Sequence, residues 1–268
     1  MINQVSFPYL NLEFTLNRVA FSIFGVEVYT YGLLIGLGIL LAVIYGNFES
    51  KRIGIIQDDM YNMLLMALPA SIVGARLYYV VFEWDSYKDN LLSILDIRSG
   101  GIAIYGGIIA AALVVFAYCK VKKISFGRCF DLLSIGLLIG QAVGRWGNFV
   151  NGEAFGGPTS LPWAMSIVQD GEMLAGFRHP TFLYESLWNT AGIIILWIFR
   201  KHKKFEGEVF CGYMLWYGLG RVWIEGLRAD SLYIGDLRVS QLLSAVLVFV
   251  ALGIIFYQRR NLKKTLDK

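Results

Sequence analysis

The amino-acid sequence predicts an all-α polytopic membrane protein with seven transmembrane helices, and three observations lead to that class. Hydrophobic residues make up 56% of the 268-residue chain and charged residues only 16%, whereas a soluble domain has about 25% charged residues. The mean hydropathy is +0.56. Several runs without charge approach or exceed the roughly 18 residues that indicate a membrane span. This composition excludes a soluble domain, a disordered chain, a coiled coil and a collagen-like chain.

The candidate spans are the segments with few or no charges, and the chain is expected to form one integral membrane domain. The spans are predicted at about residues 28–48, 60–82, 100–119, 131–150, 181–199, 209–224 and 239–258. Four spans contain charged residues: Arg76 in the second, Asp131 and Arg145 in the fourth, Glu185 in the fifth, and Arg221 in the sixth. Residues 151–180 form the longest connecting segment and are expected to make an extracytoplasmic loop or small cap.

The orientation follows from the distribution of basic residues between the connecting segments. One set of segments carries 15 Lys and Arg residues and the other carries 6. Short cytoplasmic loops retain the excess of positive charge, so the N-terminus is predicted outside and the C-terminus in the cytoplasm. The same collar of basic residues explains the net charge of +4 without a nucleic-acid partner, because it faces anionic lipid.

The cysteines give no indication of a disulfide or a metal site. Cys119, Cys129 and Cys211 all lie at predicted cytoplasmic ends of spans, where thiols stay reduced. The sequence contains no CxxC motif and no cluster of Cys and His with the spacing of metal ligands. We therefore expect neither disulfides nor a bound metal.

A run of polar residues follows the glycine-rich end of the fourth span. Gly136, Gly140 and Gly144 are four residues apart, which is typical of close approach by another helix or a lipid chain. Packing does not explain the Arg, two Asn and Glu that follow within nine residues: Arg145, Asn148, Asn151 and Glu153. A guanidinium offers five donors in a planar fork that suits phosphate, and amides can hold an oxygen or orient the Arg.

A second polar stripe occupies the sixth span. At 100° per residue, Tyr217, Arg221, Glu225 and Arg228 fall within a wedge of about 80° on one helix face. The simplest interpretation is an Arg221–Glu225 ion pair that neutralises itself. Two arginines against one glutamate instead leave a surplus cation at the outer interface, where an anionic headgroup would fit. Ionisable residues within a membrane favour this functional interpretation.

These residues carry a family resemblance. Residues 144–156, GRWGNFVNGEAFG, resemble the signature of bacterial prolipoprotein diacylglyceryl transferases. Four further segments agree in order along nearly the whole chain: Tyr31-Gly32, GGIAIYGG at 100–107, HPTFLYE at 179–185 and the stripe from Tyr217 to Arg228. The resemblance implies seven spans, an outward-facing site and residence in the bacterial cell (inner, cytoplasmic) membrane.

The resemblance also implies an activity and a set of site residues. The diacylglyceryl group of phosphatidylglycerol passes to the lipobox cysteine of a preprolipoprotein signal peptide, glycerol phosphate is released, and no metal or cofactor takes part. This thioether-forming step is the first in bacterial lipoprotein maturation. The positions carried over are Tyr31, Arg145, Asn148, Glu153, Gly156, Tyr217, Arg221, Glu225 and Arg228, while Asn151 belongs to the signature without an assigned role.

One position departs from the family pattern. The third-span motif commonly has a His, with a proposed base role, where this chain has Tyr105. A phenol with a pKa near ~10 is a poor base at neutral pH, so either the thiol is deprotonated otherwise or that residue is not the base. Of the two histidines, His202 lies in the basic collar, and His179 precedes a proline at a span entrance. His179 is therefore a candidate for a base or for a structural cap.

The residue chemistry assigns expected roles. A thiol with a pKa near ~8.5 is activated by nearby cations, and a phosphate leaving group needs donors. We expect Arg145 and Arg221 to meet both needs, with Glu225 orienting Arg221. Headgroup contacts are expected from Asn148, Tyr217 and Arg228; Tyr31 and Tyr105 would line the reacting cavity, and Gly156 would allow a turn or a close backbone approach.

Two other classes of function remain open at this level. An anionic-lipid transporter or flippase would also use arginines beside small-residue helices, and a non-catalytic membrane scaffold is the third hypothesis. A transporter should place polar groups through the membrane depth. Here they collect in the predicted outer half, and the inner half carries only Asp131 besides the basic collar. This asymmetry favours an outward-facing enzyme.

Overall fold

The computed structural model describes residues 2–97, 100–169, 171–229, 233–235 and 237–266. The chain divides into two compact units, one of Met1–Tyr45 with Phe130–Lys268 and the other of Gly46–Cys129. The long helices are α1 (Thr30–Ile53), α2 (Gln57–Phe82), α3 (Ile104–Lys122), α4 (Phe126–Asn151), α5 (Thr181–Phe199), α6 (Glu208–Leu227) and α7 (Val239–Leu266). Of the basic residues counted above, Arg98 and Lys268 lie outside the described residues.

Helices long and apolar enough to cross a membrane confirm the polytopic membrane class. Among the described residues there are six of them, namely α1, α2, α3, α4, α5 and α7. The remaining long helix, α6, has 20 residues and carries Glu208, Arg221 and Glu225, so its composition sets it apart from the other six. Six of the seven predicted spans therefore correspond to helices that could cross a membrane. The remaining predicted span corresponds to α6, and the count of seven stays a prediction.

The prediction of an all-α protein needs a correction, because short strands lie outside the long helices. The strands are β1 (Ile2–Phe7), β2 (Leu12–Asn17), β3 (Val19–Ile23), β4 (Val26–Tyr29), β5 (Ser166–Gln169), β6 (Glu172–Met173), β7 (Tyr233–Ile234) and β8 (Leu237–Arg238). An antiparallel sheet of order β2-β1-β5-β6 joins the N-terminal residues to the segment between α4 and α5. The segment at 151–180 thus folds together with the start of the chain.

The four-stranded sheet is fixed to the ends of α4 and α5 by an apolar cluster. Val5 of β1 lies opposite Ile167 of β5, and both are buried with Phe149 of α4 and Phe182 of α5. The rings of Phe149 and Phe182 stack with centroids 4.6 Å apart. The buried Asn3 also donates from Nδ2 to the Val150 carbonyl at 2.8 Å. The sheet therefore fixes the C-terminal end of α4 and the start of α5 relative to each other.

The glycine stripe of α4 packs against α1. A Cβ built on Gly38 of α1 would lie 3.3 Å from the Gly140 Cα, and one built on Gly144 would lie 3.3 Å from Ile35 Cδ1. These distances are tighter than ordinary van der Waals contact, so the two backbones approach as closely as glycine allows. Of the two neighbours that the sequence left open, a helix or a lipid chain, the structure shows a helix.

Two tryptophans lock α5 to α6. The rings of Trp188 and Trp216 stack with centroids 4.4 Å apart, and each indole N–H donates to the backbone carbonyl of the other residue at 2.9 Å. Gly192 and Gly220 make room for them, since a Cβ at either position would lie within 2.4 Å of an indole nitrogen. This lock sets which face of α6 is turned toward α5.

The start of α6 is held by buried acidic residues. Asp131 of α4 accepts hydrogen bonds from the backbone N–H groups of Gly207 and Phe210 at 2.9 and 3.0 Å, and Lys203 Nζ lies 2.7 Å from the same carboxylate. Glu208 is buried and pairs with Arg259 of α7 at 2.7 Å. An acidic group at a helix N-terminus satisfies its open N–H donors, so Asp131 has a structural explanation.

In the second unit, Arg76 of α2 is the charge found within a predicted span. Its side chain is buried, and its nitrogens donate to backbone carbonyls of the segment that leads to α3: Ser93, Ile94, Asp96, Gly100 and Gly101, at 2.7 to 2.9 Å. These bonds satisfy the guanidinium without a counter-ion. Arg76 therefore holds the segment before α3, the helix that contains Tyr105.

Candidate active site

Glu185 lies at the centre of a group of charges where α4, α5 and α6 meet. One carboxylate oxygen, Oε2, lies 2.7 Å from Arg145 Nη2 of α4. The other, Oε1, lies 3.2 Å from Arg221 Nη1 of α6 and 3.7 Å from Arg228 Nη1, just beyond the end of α6. A single carboxylate thus brings three guanidinium groups together from two other helices and their ends.

Glu225 holds Arg221 from the opposite side. Its Oε2 lies 2.8 Å from Arg221 Nη2, one helical turn earlier on α6. We call Arg145, Glu185, Arg221, Glu225 and Arg228 the arginine cluster. The side chains of Glu185 and Glu225 are 9% and 3% exposed, whereas those of the three arginines are 12 to 23% exposed. The carboxylates lie behind the guanidinium groups, which form the more accessible part.

The polar residues after Arg145 continue the network along α4. Arg145 Nη1 donates to Asn148 Oδ1 at 3.2 Å, and Asn148 Nδ2 donates to Glu153 Oε1 at 3.0 Å. Asn151 Nδ2 donates to the same Glu153 oxygen at 3.3 Å. Asn148 is therefore the link between the arginine cluster and the exposed Glu153, and Asn151 supports Glu153.

Tyr31 is brought to this network by the packing of α1 on α4. A Cβ built on Gly147 would lie 2.5 Å from Tyr31 Cδ2, so the tyrosine ring lies directly on the backbone of α4. Gly147 stands between Arg145 and Asn148 in the sequence, so this contact places the ring beside the polar run. Glycine at 147 is what allows an aromatic ring this close to the polar run.

Gly156 is required for close approach and not for a turn. Its N–H donates to the His179 carbonyl at 2.9 Å, and the N–H of Gly157 donates to the Leu227 carbonyl at 2.8 Å. A Cβ on Gly156 would lie 2.6 Å from His179 Cβ, 2.9 Å from the Leu227 oxygen and 3.0 Å from Thr181 Cγ2. The segment after α4 is thereby held against the start of α5 and the end of α6, where Arg228 follows.

His179 takes part in an aromatic group beside this junction. Its Nδ1 lies 3.3 Å from the Tyr184 hydroxyl, which also accepts a hydrogen bond from Trp163 Nε1 at 2.7 Å. Partial burial lowers the pKa of His179 from its ordinary value, because burial disfavours the charged imidazolium. Its carbonyl accepts the hydrogen bond from the Gly156 N–H, and its ring contacts that of Tyr184. The two interpretations of His179, as a base and as a structural cap, stay predictions.

The two remaining tyrosines lie at different places. Tyr217 is on α6 one turn before Arg221, with its ring 5.9 Å from that of Tyr213. Tyr105 is the second residue of α3, in the unit Gly46–Cys129, and its side chain is 36% exposed. The structure thus brings most of the predicted site residues into one network, namely Arg145, Asn148, Glu153, Arg221, Glu225 and Arg228, with Tyr31 packed against it. Asn151 and Gly156 adjoin this network. Tyr105 belongs to the other unit.

The sequence did not assign Glu185 to the site, although it carries two signals. Glu185 is the one charged residue in the span 181–199, and it ends the HPTFLYE motif. What the sequence lacks is the rotation of α5 that turns this residue toward Arg145 and Arg221. With Glu185 and Arg145 included, the arginine cluster holds three arginines and two glutamates. One positive charge therefore remains in surplus, the same excess that the α6 stripe predicts.

The arginine cluster can bind an anion through the guanidinium donors of Arg145 and Arg221 that the contacts described above do not use. The contacts described for Arg145 and Arg221 engage two nitrogens of each guanidinium, and each group carries five N–H donors. Fixed guanidinium groups in a partly buried setting are suited to a phosphate or another oxyanion. Among the described residues, no three His, Cys, Asp or Glu side chains are grouped as a metal site would require.

Comparison with known proteins points to one family. The family model for prolipoprotein diacylglyceryl transferase matches residues 18–257. Phosphatidylglycerol–prolipoprotein diacylglyceryl transferases of Finegoldia magna and Clostridioides difficile are 46% and 45% identical to this chain over 254 and 231 residues. These alignments cover 94% and 86% of this chain and 100% and 91% of the relatives. The corresponding protein of Enterococcus faecalis is 45% identical over 254 residues, or 91% of each chain. The chain therefore belongs to the prolipoprotein diacylglyceryl transferase family.

Proposed function

We propose that this protein transfers the diacylglyceryl group of phosphatidylglycerol to the thiol of the lipobox cysteine in the signal peptide of a preprolipoprotein. The products are a thioether-linked lipopeptide and glycerol phosphate, and the reaction is the first step of lipoprotein maturation. The observation that carries the proposal is the arginine cluster, in which Glu185 holds guanidinium groups of α4 and α6 together. Relatives at 45 to 46% identity bear the name of this activity.

The leaving group explains why fixed arginines are needed. The phosphodiester of phosphatidylglycerol carries one negative charge, and the departing phosphate monoester carries close to two. Donors aimed at the leaving oxygen stabilise the transition state more than the ground state, because the charge grows during the reaction. We assign this role to Arg145 and Arg221. Asn148, Tyr217 and Arg228 are assigned to the headgroup. Asn148 contacts Arg145, Tyr217 lies one turn before Arg221 on α6, and Arg228 lies just beyond the end of that helix.

The two carboxylates of the cluster act as positioning groups. Glu185 and Glu225 hold Arg221 from two sides, at 3.2 and 2.8 Å, and Glu185 also fixes Arg145. A guanidinium held in this way does not have to be ordered when the lipid binds, so the donors are already in place at the moment of reaction. Glu153, with Asn148 and Asn151, would hold the segment that leads to Gly156.

The bonds change in one displacement step. The cysteine sulfur attacks the glyceryl carbon, the bond from that carbon to the phosphate oxygen breaks, and the electron pair leaves with the phosphate. The thiol S–H bond breaks before the attack and its proton passes to water, because nearby guanidinium groups favour the thiolate. We propose that this field, and not a base at Tyr105, accounts for most of the activation, and that Tyr31 lines the cavity.

The proposed topology places the arginine cluster on the extracytoplasmic side of the bacterial cell membrane. The 20 residues of α6 would extend ~30 Å, which is the thickness of the hydrocarbon core. Its charges are paired at both ends, with Arg259 at Glu208 and with the cluster at Arg221. We therefore propose α6 as the seventh span, the N-terminus outside, the C-terminus inside, and the four-stranded sheet as the extracytoplasmic cap.

A mass measurement tests the activity. The purified protein is incubated with phosphatidylglycerol vesicles and a lipobox peptide, and the matched control is the same peptide with Ser in place of its Cys. The proposal predicts a diacylglyceryl mass increment on the Cys peptide alone, together with released glycerol phosphate. Transfer of labelled phosphatidylglycerol between leaflets without any peptide product would instead indicate the transporter class.

A further inference from the structure

A two-stranded hairpin precedes α1 and pairs with no other described strand. It consists of β3 and β4, and its last residue, Tyr29, is followed at once by the first residue of α1. The base is closed by two hydrogen bonds of 2.8 Å, from the Thr30 N–H to the Arg18 carbonyl and from Thr30 Oγ1 to the Asn17 carbonyl. The hairpin is thus fixed to the start of a helix that is long and apolar enough to span a membrane.

The two faces of the hairpin differ in polarity. Phe21 lies opposite Val28, and Ile23 lies opposite Val26; directly opposed residues share one face of a strand pair. We call these four residues the apolar face. Phe21, Ile23 and Val26 are 45%, 51% and 45% exposed. The other face carries Ser22 opposite Glu27, and the Tyr29 hydroxyl donates to Glu27 Oε2 at 3.1 Å.

The tip of the hairpin carries a fully exposed aromatic ring in an unfavourable backbone conformation. Phe24 and Gly25 connect the strands with φ angles of 49° and 79°. Two-residue turns with positive φ at both positions favour Asn-Gly, because only small or amide-bearing residues accept that geometry readily. Phe24 is nonetheless completely exposed, and its ring adds nothing to the pairing of the strands. Its presence indicates a contact outside the chain.

We propose that the apolar face and Phe24 are immersed in lipid, at the surface of the same membrane that α1 enters. The five residues of β3 extend ~16 Å, so the whole hairpin stays close to the hydrocarbon boundary where α1 begins. The apolar face has no charged group, and it is continuous along the chain with exposed apolar side chains of α1 such as Leu33 and Leu37. The polar face with Ser22 and Glu27 is then left to water.

A water-borne peptide is the alternative occupant, and the position of Phe24 argues against it. A peptide that adds a strand to β3 or β4 would use a backbone edge, whereas the Phe24 ring lies beyond the last strand pair, at the turn. Lipid covers a face and a tip together and makes no demand on hydrogen bonding. The hairpin therefore matches a lipid surface better than a peptide.

Depth-dependent quenching of a fluorescent label tests the proposal. The full-length protein is reconstituted into phosphatidylglycerol-containing liposomes after labelling of Phe24→Cys or Ile23→Cys with an environment-sensitive dye. The matched control is Ser22→Cys, which precedes Ile23 in the sequence and lies on the polar face. The native Cys119, Cys129 and Cys211 are at most 3% exposed, so the labelled wild-type protein gives the background.

The expected result is a reversal between the two faces. Labels at 23 and 24 should be quenched by nitroxide-bearing lipid and protected several-fold from iodide supplied on both sides of the bilayer, while the label at 22 should show the opposite. Equal iodide quenching at all three positions would overturn the proposal. Protection at 24 that develops only after a lipobox peptide is added would overturn it in favour of the peptide. The variants Ile23→Cys and Phe24→Cys check each other against local misfolding.

Discussion

Glu185 Oε2 on α5 lies 2.7 Å from Arg145 Nη2 on α4, and the second oxygen of the same carboxylate faces Arg221 on α6. A carboxylate shared in this way couples the positions of two guanidinium groups from different helices. Any change at Glu185 should therefore affect both arginines together, which distinguishes a positioning residue from a simple counter-ion.

Replacing Glu185 with Gln tests that coupling. The amide keeps the size of the side chain but removes the charge, so the three partly buried guanidinium groups lose the counter-charge that they share. We expect a loss of stability of about 3 kcal/mol, at the lower end for a buried ion pair because the arginines are partly exposed. A displacement of Arg145 and Arg221 should reduce transfer on the order of 10²-fold. Thermal unfolding and kcat for peptide lipidation measure the two effects.

The control for this variant is Glu172→Gln, which removes an exposed carboxylate on β6. It should leave both stability and kcat close to those of the wild-type protein. If Glu185→Gln were equally silent, Glu185 would not position the arginines.

Gly156→Ala tests the close approach between the segment after α4 and the helix ends. The added Cβ would lie 2.6 Å from His179 Cβ and 2.9 Å from the Leu227 carbonyl oxygen. Relieving such overlap typically costs about 1–3 kcal/mol, and the backbone shift would move Arg228. We expect a lower unfolding temperature and weaker transfer.

Its neighbour supplies the matched control. A Cβ on Gly157 meets only the Leu227 oxygen, at 3.8 Å, which is ordinary contact. Gly157→Ala should therefore be tolerated in both stability and activity. Equal damage from the two alanines would show that general stiffness of the segment matters and not the close approach at Gly156.

The four-stranded sheet and the arginine cluster show what the sequence can and cannot predict. Low charge over about 20 residues identifies the spans, since lipid tolerates few charges, and the polar residues of the site stand out against that background. The pairing of β1 with β5 joins residues 160 or more positions apart through a register of four residue pairs, and such short strands show no clear hydrophobic period in the sequence.

The missing site residue has a related explanation. Glu185 is visible as a charge in an apolar segment, but its partners depend on how α5 is rotated against α4 and α6. That rotation is set by packing, in particular by the Trp188–Trp216 stack and the glycines beneath it. Packing between helices is not encoded in any single segment, so the charge at Glu185 is visible in the sequence and its neighbours are not.

The proposed topology predicts which surfaces an impermeant reagent reaches. Ser160 is exposed in the segment between α4 and α5, and Lys201 is exposed in the segment between α5 and α6. Because the basic segments are predicted in the cytoplasm, Ser160→Cys should react with an impermeant thiol reagent on intact cells, and Lys201→Cys should react only after lysis. The opposite pattern would place the arginine cluster on the cytoplasmic side and contradict the proposed function.

Tyr105→Phe tests whether that position supplies the base. A neutral phenol would have to become a phenolate before it could accept a proton from the thiol, whereas fixed arginines lower the thiol pKa directly. We expect the Phe variant to keep measurable transfer, with rates that rise with pH as the thiolate fraction of the peptide increases. A stably inserted Tyr105→Phe protein that is inactive at neutral and alkaline pH, while Tyr105→His is active, would return the base role to this position.

The central claim is that a fixed guanidinium at Arg145 stabilises the departing phosphate, and Arg145→Lys tests it most directly. Arg145 reaches Glu185 with Nη2 and Asn148 with Nη1, and a lysine has one nitrogen and cannot reproduce this planar geometry. The measurement is kcat for lipidation of a lipobox peptide by correctly inserted protein, with the exposed Arg260→Lys as control. The account predicts a loss of about 10²-fold or more in kcat for Arg145→Lys and none for Arg260→Lys. Near-normal turnover of the Arg145→Lys protein would contradict it, since charge alone would then be sufficient.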